Sequence, residues 1–411
     1  MNININSEIG KLEGVILHRP GIEIERMTPS NAHAALYSDI LNLHVAGEEY
    51  AAFEKVLNFF AQTYQVKDLL KQVLENDEIK QKLVVQSCEA AQKKWLAEEL
   101  SVLPAADLSE ILIEGYPFNA AKHPQEFAHE RYILKPLFNL FYTRDTASVI
   151  YQNVLIHAMA SEVRFRESLI LNSIFEGYFK VKPLDPKQDP NPIKTEGGDF
   201  LVAKPNVLCV GVGPRTNYEG IEYLAKQLSL NGEVYHIITQ ELPFIPEAFI
   251  HLDMVFTFLD KDQAMVYEPL ILKKPGFETY ATRIFTGQNG KVTSREVPNL
   301  LEALKSFHID LKPIPCGGNQ DRWHQDREQW HSGANFFALG EGKVVGYHRN
   351  VRTLEAMNNA GFDILTPQDI LQSNGNLPQK FVVAFRGAEL PRGGGGARCM
   401  TLPIARSKTD I

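Results

Sequence analysis

Cys399 follows Arg392-Gly393-Gly394-Gly395-Gly396-Ala397-Arg398 and opens the apolar run Cys399–Ile404. Four consecutive glycines are costly in backbone entropy unless the chain must bend sharply or approach something closely. A thiol placed there is a candidate nucleophile, with a buried apolar cysteine as the bland alternative. His251 and Asp253 sit two residues apart, a spacing that puts them on the same side of a strand. Such a pair suits acid–base work; a metal reading needs further His or Cys ligands, and none clusters in the sequence. Glu196 and Asp199 flank two glycines, which fits either a turn or a backbone that lets a ligand come close. Asp145 follows Arg144, and Asn335 ends a polar segment.

These residues share a position. Each precedes a pattern of strand, tight turn and strand: Ala147–Ala158, Asp199–Gly211, Asp253–Tyr267 and Asn335–Tyr347. The turns fall at Lys204-Pro205-Asn206, Asp260–Asp262 and Gly340-Glu341-Gly342. Cys399–Ile404 opens a fifth copy at the C-terminus, and the strand Glu13–His18 could complete it. Hairpins recurring at intervals of roughly 50 to 80 residues predict a five-bladed α/β propeller of ββαβ units, one blade closed by both termini. The alternative is an ordinary α/β domain with similar hairpins. In a propeller, equivalent positions of successive blades face one axis, so acids, histidine and thiol would line one cavity.

The elements between are helical. Tyr50, Phe53, Val56, Leu57 and Phe60 have helix spacing within Gly47 to Gln62. Residues 66–134 read as a helical insertion within a single catalytic domain spanning 1–411. Leu69, Leu70, Val73 and Leu74 make one apolar face; Trp95, Leu96, Leu100 and Val102 make another.

Composition excludes several classes. Of 411 residues, 44% are hydrophobic and 22% charged, as in ordinary globular proteins. The net charge of −8 and the lack of a basic run argue against nucleic acid as a partner. No apolar run reaches membrane-spanning length, and Met1–Gly10 lacks a signal-peptide core. Four scattered cysteines, Cys88, Cys209, Cys316 and Cys399, suit free thiols in the cytoplasm.

The whole set of motifs resembles the arginine deiminase family, within the guanidine-modifying superfamily of five-bladed propellers (the pentein fold). The matching segments are Lys11–Gly21 with Met27–Asn31, Tyr142–Asp145, Arg164–Glu167, Glu196–Asp199, Gly213–Thr216, His251–Met254, Arg327–Asn335, Gly346–Asn350 and Gly393–Met400. Their order and spacing together are far more specific than any one of them.

The resemblance implies hydrolysis of free L-arginine to L-citrulline and ammonia. It implies Cys399 as nucleophile, His251 as general acid and base, and Glu196 as the carboxylate that orients it. It further implies that Asp145 and Asp253 grip the guanidinium, and that Arg164 and Arg215 hold the substrate carboxylate. Asn139, Asp199 and Asn335 are expected near the substrate. Physical chemistry agrees: two carboxylates match a planar, five-donor guanidinium, and two arginines match a carboxylate tail. The expected chemistry needs no metal or organic cofactor, and a homodimer or homotetramer is implied. The alternatives are an amidinotransferase, a hydrolase of another guanidine, and a non-catalytic arginine-binding relative. The chain departs from the family pattern in places. Gly394 stands where an arginine is common, with Arg392 nearby. Tyr142 replaces a phenylalanine, Ser38 an aspartate and His348 an aspartate.

Overall fold

The computed structural model describes residues 3–119, 121–123, 131–186 and 192–409. Residues 120 and 124–130 of the expected helical insertion lie outside these. The fold is mixed α/β, built on one repeated pattern: an antiparallel hairpin whose second strand also pairs, in parallel, with a strand beyond a crossover.

The pattern occurs five times. Ala147–Ile150 pairs with Asn153–Ile156, and a parallel bridge joins Leu155 to Leu184 beyond the helix Phe165–Gly177. Phe200–Lys204 pairs with Val207–Val212, which runs parallel to Tyr235–Glu241 after the helix Tyr218–Leu228. Phe256–Phe258 pairs with Gln263–Val266, parallel to Lys312–Pro315. Phe337–Gly340 pairs with Lys343–Tyr347, parallel to Phe381–Phe385. Finally Leu402–Arg406 pairs with Leu12–Leu17, which is parallel to Gln62–Gln65. The two ends of the chain thus meet in one sheet, as the sequence predicts.

Central strands are apolar because both their faces are covered. All six residues of Val207–Val212 and all five of Phe381–Phe385 are buried. The crossover helices supply the cover. Helix Leu43–Phe60 starts at Asn42, whose side chain accepts from the Val45 N–H, and buries Tyr50, Phe53, Val56 and Leu57 along one stripe. Phe53 stacks on Phe385 of the sheet with ring centres 5.0 Å apart.

Two features depart from expectation. The third unit is long because a hairpin, Thr282–Gln288 with Lys291–Val297, leaves it and extends the sheet of the second unit through Tyr235–Glu241. Within 66–134, helices form at Val66–Val73, Asp77–Ala90, Leu96–Ser101 and Ala105–Glu114, followed by a ribbon of Tyr116–Pro117 with Tyr132–Leu134. Leu69, Leu70, Val73, Leu74, Leu96 and Leu100 are buried, in one cluster with helix Phe165–Gly177 and the strands of residues 147–156. Val102 is 81% exposed, because the helix ends at Ser101 before it could join that face. Among the described residues no helix is long and apolar enough to cross a membrane.

Asp145, Asp199, Asp253, Asn335 and Cys399 each stand just before the first strand of a different unit.

Candidate active site

Cys399 is held by its backbone. The Asn335 carboxamide oxygen accepts from the N–H groups of Arg398 (2.9 Å) and Cys399 (3.3 Å), and its Nδ2 lies 3.3 Å from Sγ. The N–H of Arg144 donates to the Cys399 carbonyl at 3.1 Å. The glycine run is required by crowding. A Cβ on Gly396 would meet Asn335 Oδ1 at 2.5 Å, and one on Gly395 would meet the Tyr142 ring at 2.5 Å. Gly394 has φ +90°, the left-handed region that favours glycine. The Tyr142 hydroxyl accepts from Gly395 N–H and donates to the Leu390 carbonyl.

His251 and Asp253 do not share a strand face. His251 caps a single 3-10 turn, Leu252–Met254, and the strand begins only at Phe256. His251 Nε2 bonds Glu196 Oε2 at 2.9 Å, and Nδ1 lies 3.7 Å from Asp145 Oδ1. Glu196-Gly197-Gly198-Asp199 also forms a 3-10 turn, and its glycines make room for protein rather than ligand. A Cβ on Gly198 would stand 2.4 Å from His251 Nδ1, and one on Gly197 would stand 2.0 Å from the Arg144 carbonyl oxygen.

Two of the acids, Asp145 and Asp253, are compensated on one side only. Asp145 Oδ2 receives Arg164 Nη1 at 2.5 Å; Asp253 Oδ2 receives Arg398 Nη1 at 2.9 Å and lies 3.9 Å from Cys399 Sγ. Asp145 Oδ1, Asp253 Oδ1 and His251 Nδ1 are buried without a hydrogen-bond partner. Buried polar groups are almost always satisfied, so the two orphaned carboxylate oxygens about one thiol point to a donor-rich ligand.

Protonation states follow from this packing. Burial pushes the Cys399 thiol up, and Asp253 and Asp145 push it further, well above the usual cysteine range. Burial alone would lower His251, but Asp145 and the Glu196 hydrogen bond outweigh it and hold the imidazole at about 9. Burial would raise Glu196, yet the His251 hydrogen bond and the Arg215 charge bring it down to about 2. At neutral pH the resting pair is therefore a thiol beside an imidazolium.

A cavity of about 40 Å³ is lined by Cys399, His251, Glu196, Asp145, Arg164, Arg215, Asn139 and Tyr142, with Leu36, Ile250 and Gly393–Gly395 around them. Arg215 is the freer arginine, making one long bond to Glu196 at 3.4 Å. Arg164 is nearly saturated: it holds Asp145, Glu167 and the carbonyls of Asn139 and Tyr142. Its first task is thus to fix Asp145. Asn139 donates to the Ala35 carbonyl and faces the cavity.

Asp199 stands behind the cavity rather than on it. One of its oxygens accepts from Thr216 Oγ1 and the other from Leu252 N–H, so it orients the turn that carries His251. Burial raises its carboxyl to about 7, against the pull of His251. Asn335 likewise serves Cys399 from behind. Arg392 pairs with Asp39 and Glu389 and is absent from the cavity lining.

The sequence offers no third metal ligand beside His251-x-Asp253, and folding groups His251 with two other acids instead: ligand atoms of Asp145, Glu196 and His251 lie within 4.8 Å of one another. Arg164 and Arg215 already neutralise these carboxylates, so a divalent ion would have to compete with two guanidinium groups. Sequence reading also passed over Arg398, which grips Asp253, and Glu8, which grips Arg398. The position of Arg398 beside Cys399 was the available signal.

Replacing Gly198 with alanine displaces the His251 ring from Glu196. The imidazole pKa then falls from about 9 toward its ordinary 6.5, read by NMR titration. A pKa unchanged in a folded Gly198→Ala protein contradicts this packing argument.

Comparison with known proteins agrees with the geometry. The family model for arginine deiminase matches residues 33–406. Arginine deiminase of Limosilactobacillus reuteri (strain DSM 20016) is 34% identical over 425 residues, covering 98% of both chains. That of Lactococcus lactis subsp. cremoris (strain MG1363) is 31% identical over 427 residues, again with 98% of each covered. Among solved structures, SxtG, an amidinotransferase from Microseira wollei, superposes with a TM-score of 0.56 at 16% identity, covering 100% of this chain and 99% of the other. A dimethylarginine dimethylaminohydrolase adduct with S-methyl-L-thiocitrulline superposes with a TM-score of 0.51 at 14% identity, covering 95% and 99%. Those two likenesses speak for the fold, and the family model with the full-length relatives shows the family: the chain belongs to the arginine deiminase family.

Proposed function

We propose that the chain carries out the reaction of its family, hydrolysis of L-arginine to L-citrulline and ammonia, with Cys399 as nucleophile. The observation that carries the residue roles is the set of orphaned acceptors, Asp145 Oδ1 and Asp253 Oδ1, beside the thiol. A planar cation with five N–H donors satisfies both at once and brings its carbon to Sγ.

As the guanidinium binds, the Cys399 thiol gives up its proton to solvent, and the thiolate attacks the guanidinium carbon to give a tetrahedral adduct. His251 Nδ1–H protonates one terminal nitrogen, and the C–N bond breaks to release ammonia. A cationic thiouronium remains on Cys399. Water enters, gives a proton to Nδ1 and attacks the same carbon. Collapse breaks the C–S bond and returns the electron pair to sulfur, which takes up the proton of the new hydroxyl, so the neutral ureido group of citrulline leaves and the resting thiol is restored. Glu196 holds the Nε2–H throughout, so Nδ1 is the nitrogen that exchanges protons.

The fold that serves this is, in our reading, a five-bladed propeller and one catalytic domain, with residues 66–134 as an insertion. The five repeated units and the pairing of both termini support it. We assign the chain to the cytoplasm and to a homodimer or homotetramer; light scattering reads the latter. Arg215, with most of its donors unused, supports a substrate bearing a carboxylate over a decarboxylated guanidine.

The native protein given L-arginine is expected to yield equimolar citrulline and ammonia, and Cys399→Ala none; citrulline from the variant removes Cys399 from the mechanism. Arg215→Leu raises KM for L-arginine about 100-fold, the worth of a charged hydrogen-bonded pair, with a smaller change for its decarboxylated analogue. An equal change for both denies Arg215 the carboxylate. A bound guanidinium offsets the two aspartates, so the ultraviolet thiolate band of Cys399 must rise at fixed pH when a small guanidinium ion is added. A band indifferent to that ion refutes substrate-triggered ionisation.

A further inference from the structure

The N-terminal segment lies outside the residues that the family model matches, yet it reaches the floor of the site. Asn4 N–H bonds the Ile404 carbonyl, Ile5 bridges to Tyr151, and Glu8 N–H bonds the Val202 carbonyl. This path carries the Glu8 side chain inward, where it is 9% exposed. Its two oxygens meet one edge of the Arg398 guanidinium, with Nε–Oε2 and Nη2–Oε1 both 3.1 Å. The other edge of Arg398 gives Nη1 to Asp253 Oδ2 at 2.9 Å, and Nη2 also reaches the Phe200 carbonyl at 2.7 Å.

The charges in this knot are uneven. Arg398 lies with two more buried arginines, Arg144 and Arg406, which find carbonyls, a threonine hydroxyl and the Phe337 ring, but among the described residues no carboxylate within ion-pair distance. Burial would raise Glu8, but Arg398, Arg144 and Arg406 bring it down to about 2. It is thus an anion at every working pH. Three guanidinium groups face two carboxylates, Glu8 and Asp253, so the loss of Glu8 raises the uncompensated positive charge beneath the thiol from one to two.

We infer that Glu8 is a positioning residue of the active site: through its two-point contact it fixes Arg398, which in turn holds Asp253 by one oxygen and leaves the other for the substrate guanidinium. This rests on the roles proposed above for Asp253 and Cys399. The groups acting on the Cys399 proton are Asp253 and Asp145, which retain it, and Arg398, which draws it off, while Tyr142 packs alongside. Removing the Glu8 charge strengthens the pull of Arg398 on both Asp253 and the thiol.

The experiment is Glu8→Gln in the full chain, with steady-state kinetics on L-arginine and the pH dependence of Cys399 alkylation. KM is expected to rise about tenfold with kcat changed less, as for loss of one charged contact, and alkylation should titrate at lower pH than in the native protein. Glu8→Asp keeps the charge but not the two-point contact, so it should raise KM while restoring the native alkylation profile. It also serves if Glu8→Gln does not fold. Native KM and native alkylation profile in folded variants, with only thermal stability reduced, would overturn the inference and leave Glu8 a structural residue. Asp253→Asn in parallel separates the causes. If it leaves KM and alkylation untouched, the role of Asp253 fails; if it shifts them while the Glu8 variants do not, only Glu8 fails.

Discussion

Burial of charge governs this molecule. Asp145, Asp253 and Glu196 are all taken out of water, and an isolated buried carboxylate costs several kcal/mol. Each is rescued by a cation from a distant segment: Asp145 by Arg164, Asp253 by Arg398, and Glu196 by Arg215 and His251. The rescue is incomplete at two of them, where one oxygen is paired and the other waits. A fully satisfied network would be more stable and inert. A wholly unsatisfied one would not stay ionised. Half-satisfaction pairs each carboxylate with a cation on one side while reserving an acceptor on the other.

Close packing of backbone against side chain gives this electrostatic arrangement its geometry. The glycines at 197, 198, 395 and 396 are each pressed against a polar or aromatic neighbour at distances no side chain tolerates. His251 is thereby fixed from below by Gly198 and from one side by Glu196, and Cys399 is fixed by Asn335 through two N–H groups. These constraints come from turns at the entrances of five sheet units, and the sheets behind them are apolar and rigid.

The sequence makes some of this legible and hides the rest for physical reasons. Strand alternation and turn residues are local signals, so the hairpins and the meeting of the two termini could be read from patterns around 147–158, 199–211, 253–267, 335–347 and 399–404. Residues preceding the hairpins could be grouped, which brought Asp145, Glu196, His251 and Cys399 together in advance. Partnerships that cross the chain were not legible. Nothing local marks Glu8 as the counter-ion of Arg398, since the contact spans 390 positions. Nor does local pattern reveal that the hairpin of residues 282–297 joins the sheet of the preceding unit, or that Asp199 spends both oxygens on Thr216 and the Leu252 backbone. The placing of His251 and Asp253 on one strand face failed because a 3-10 turn precedes the strand there, and alternation does not apply to a turn.

In the proposed mechanism the same two aspartates that attract the substrate also disable the nucleophile, and the two effects are one. With one oxygen of Asp145 and one of Asp253 unpaired near the sulfur, the thiol retains its proton. A guanidinium seated between them cancels that field and frees the thiolate at the moment its target carbon is in reach. A neutral molecule of similar shape cannot do so, because it brings no charge to offset the carboxylates. Citrulline is such a molecule: the ureido group carries no positive charge, so the field of the aspartates returns as the product forms and the sulfur takes back its proton. Activation by substrate and quenching by product therefore follow from a single arrangement of charge. That arrangement survives only while Arg164 and Arg398 each hold one oxygen of their aspartate and leave the other alone.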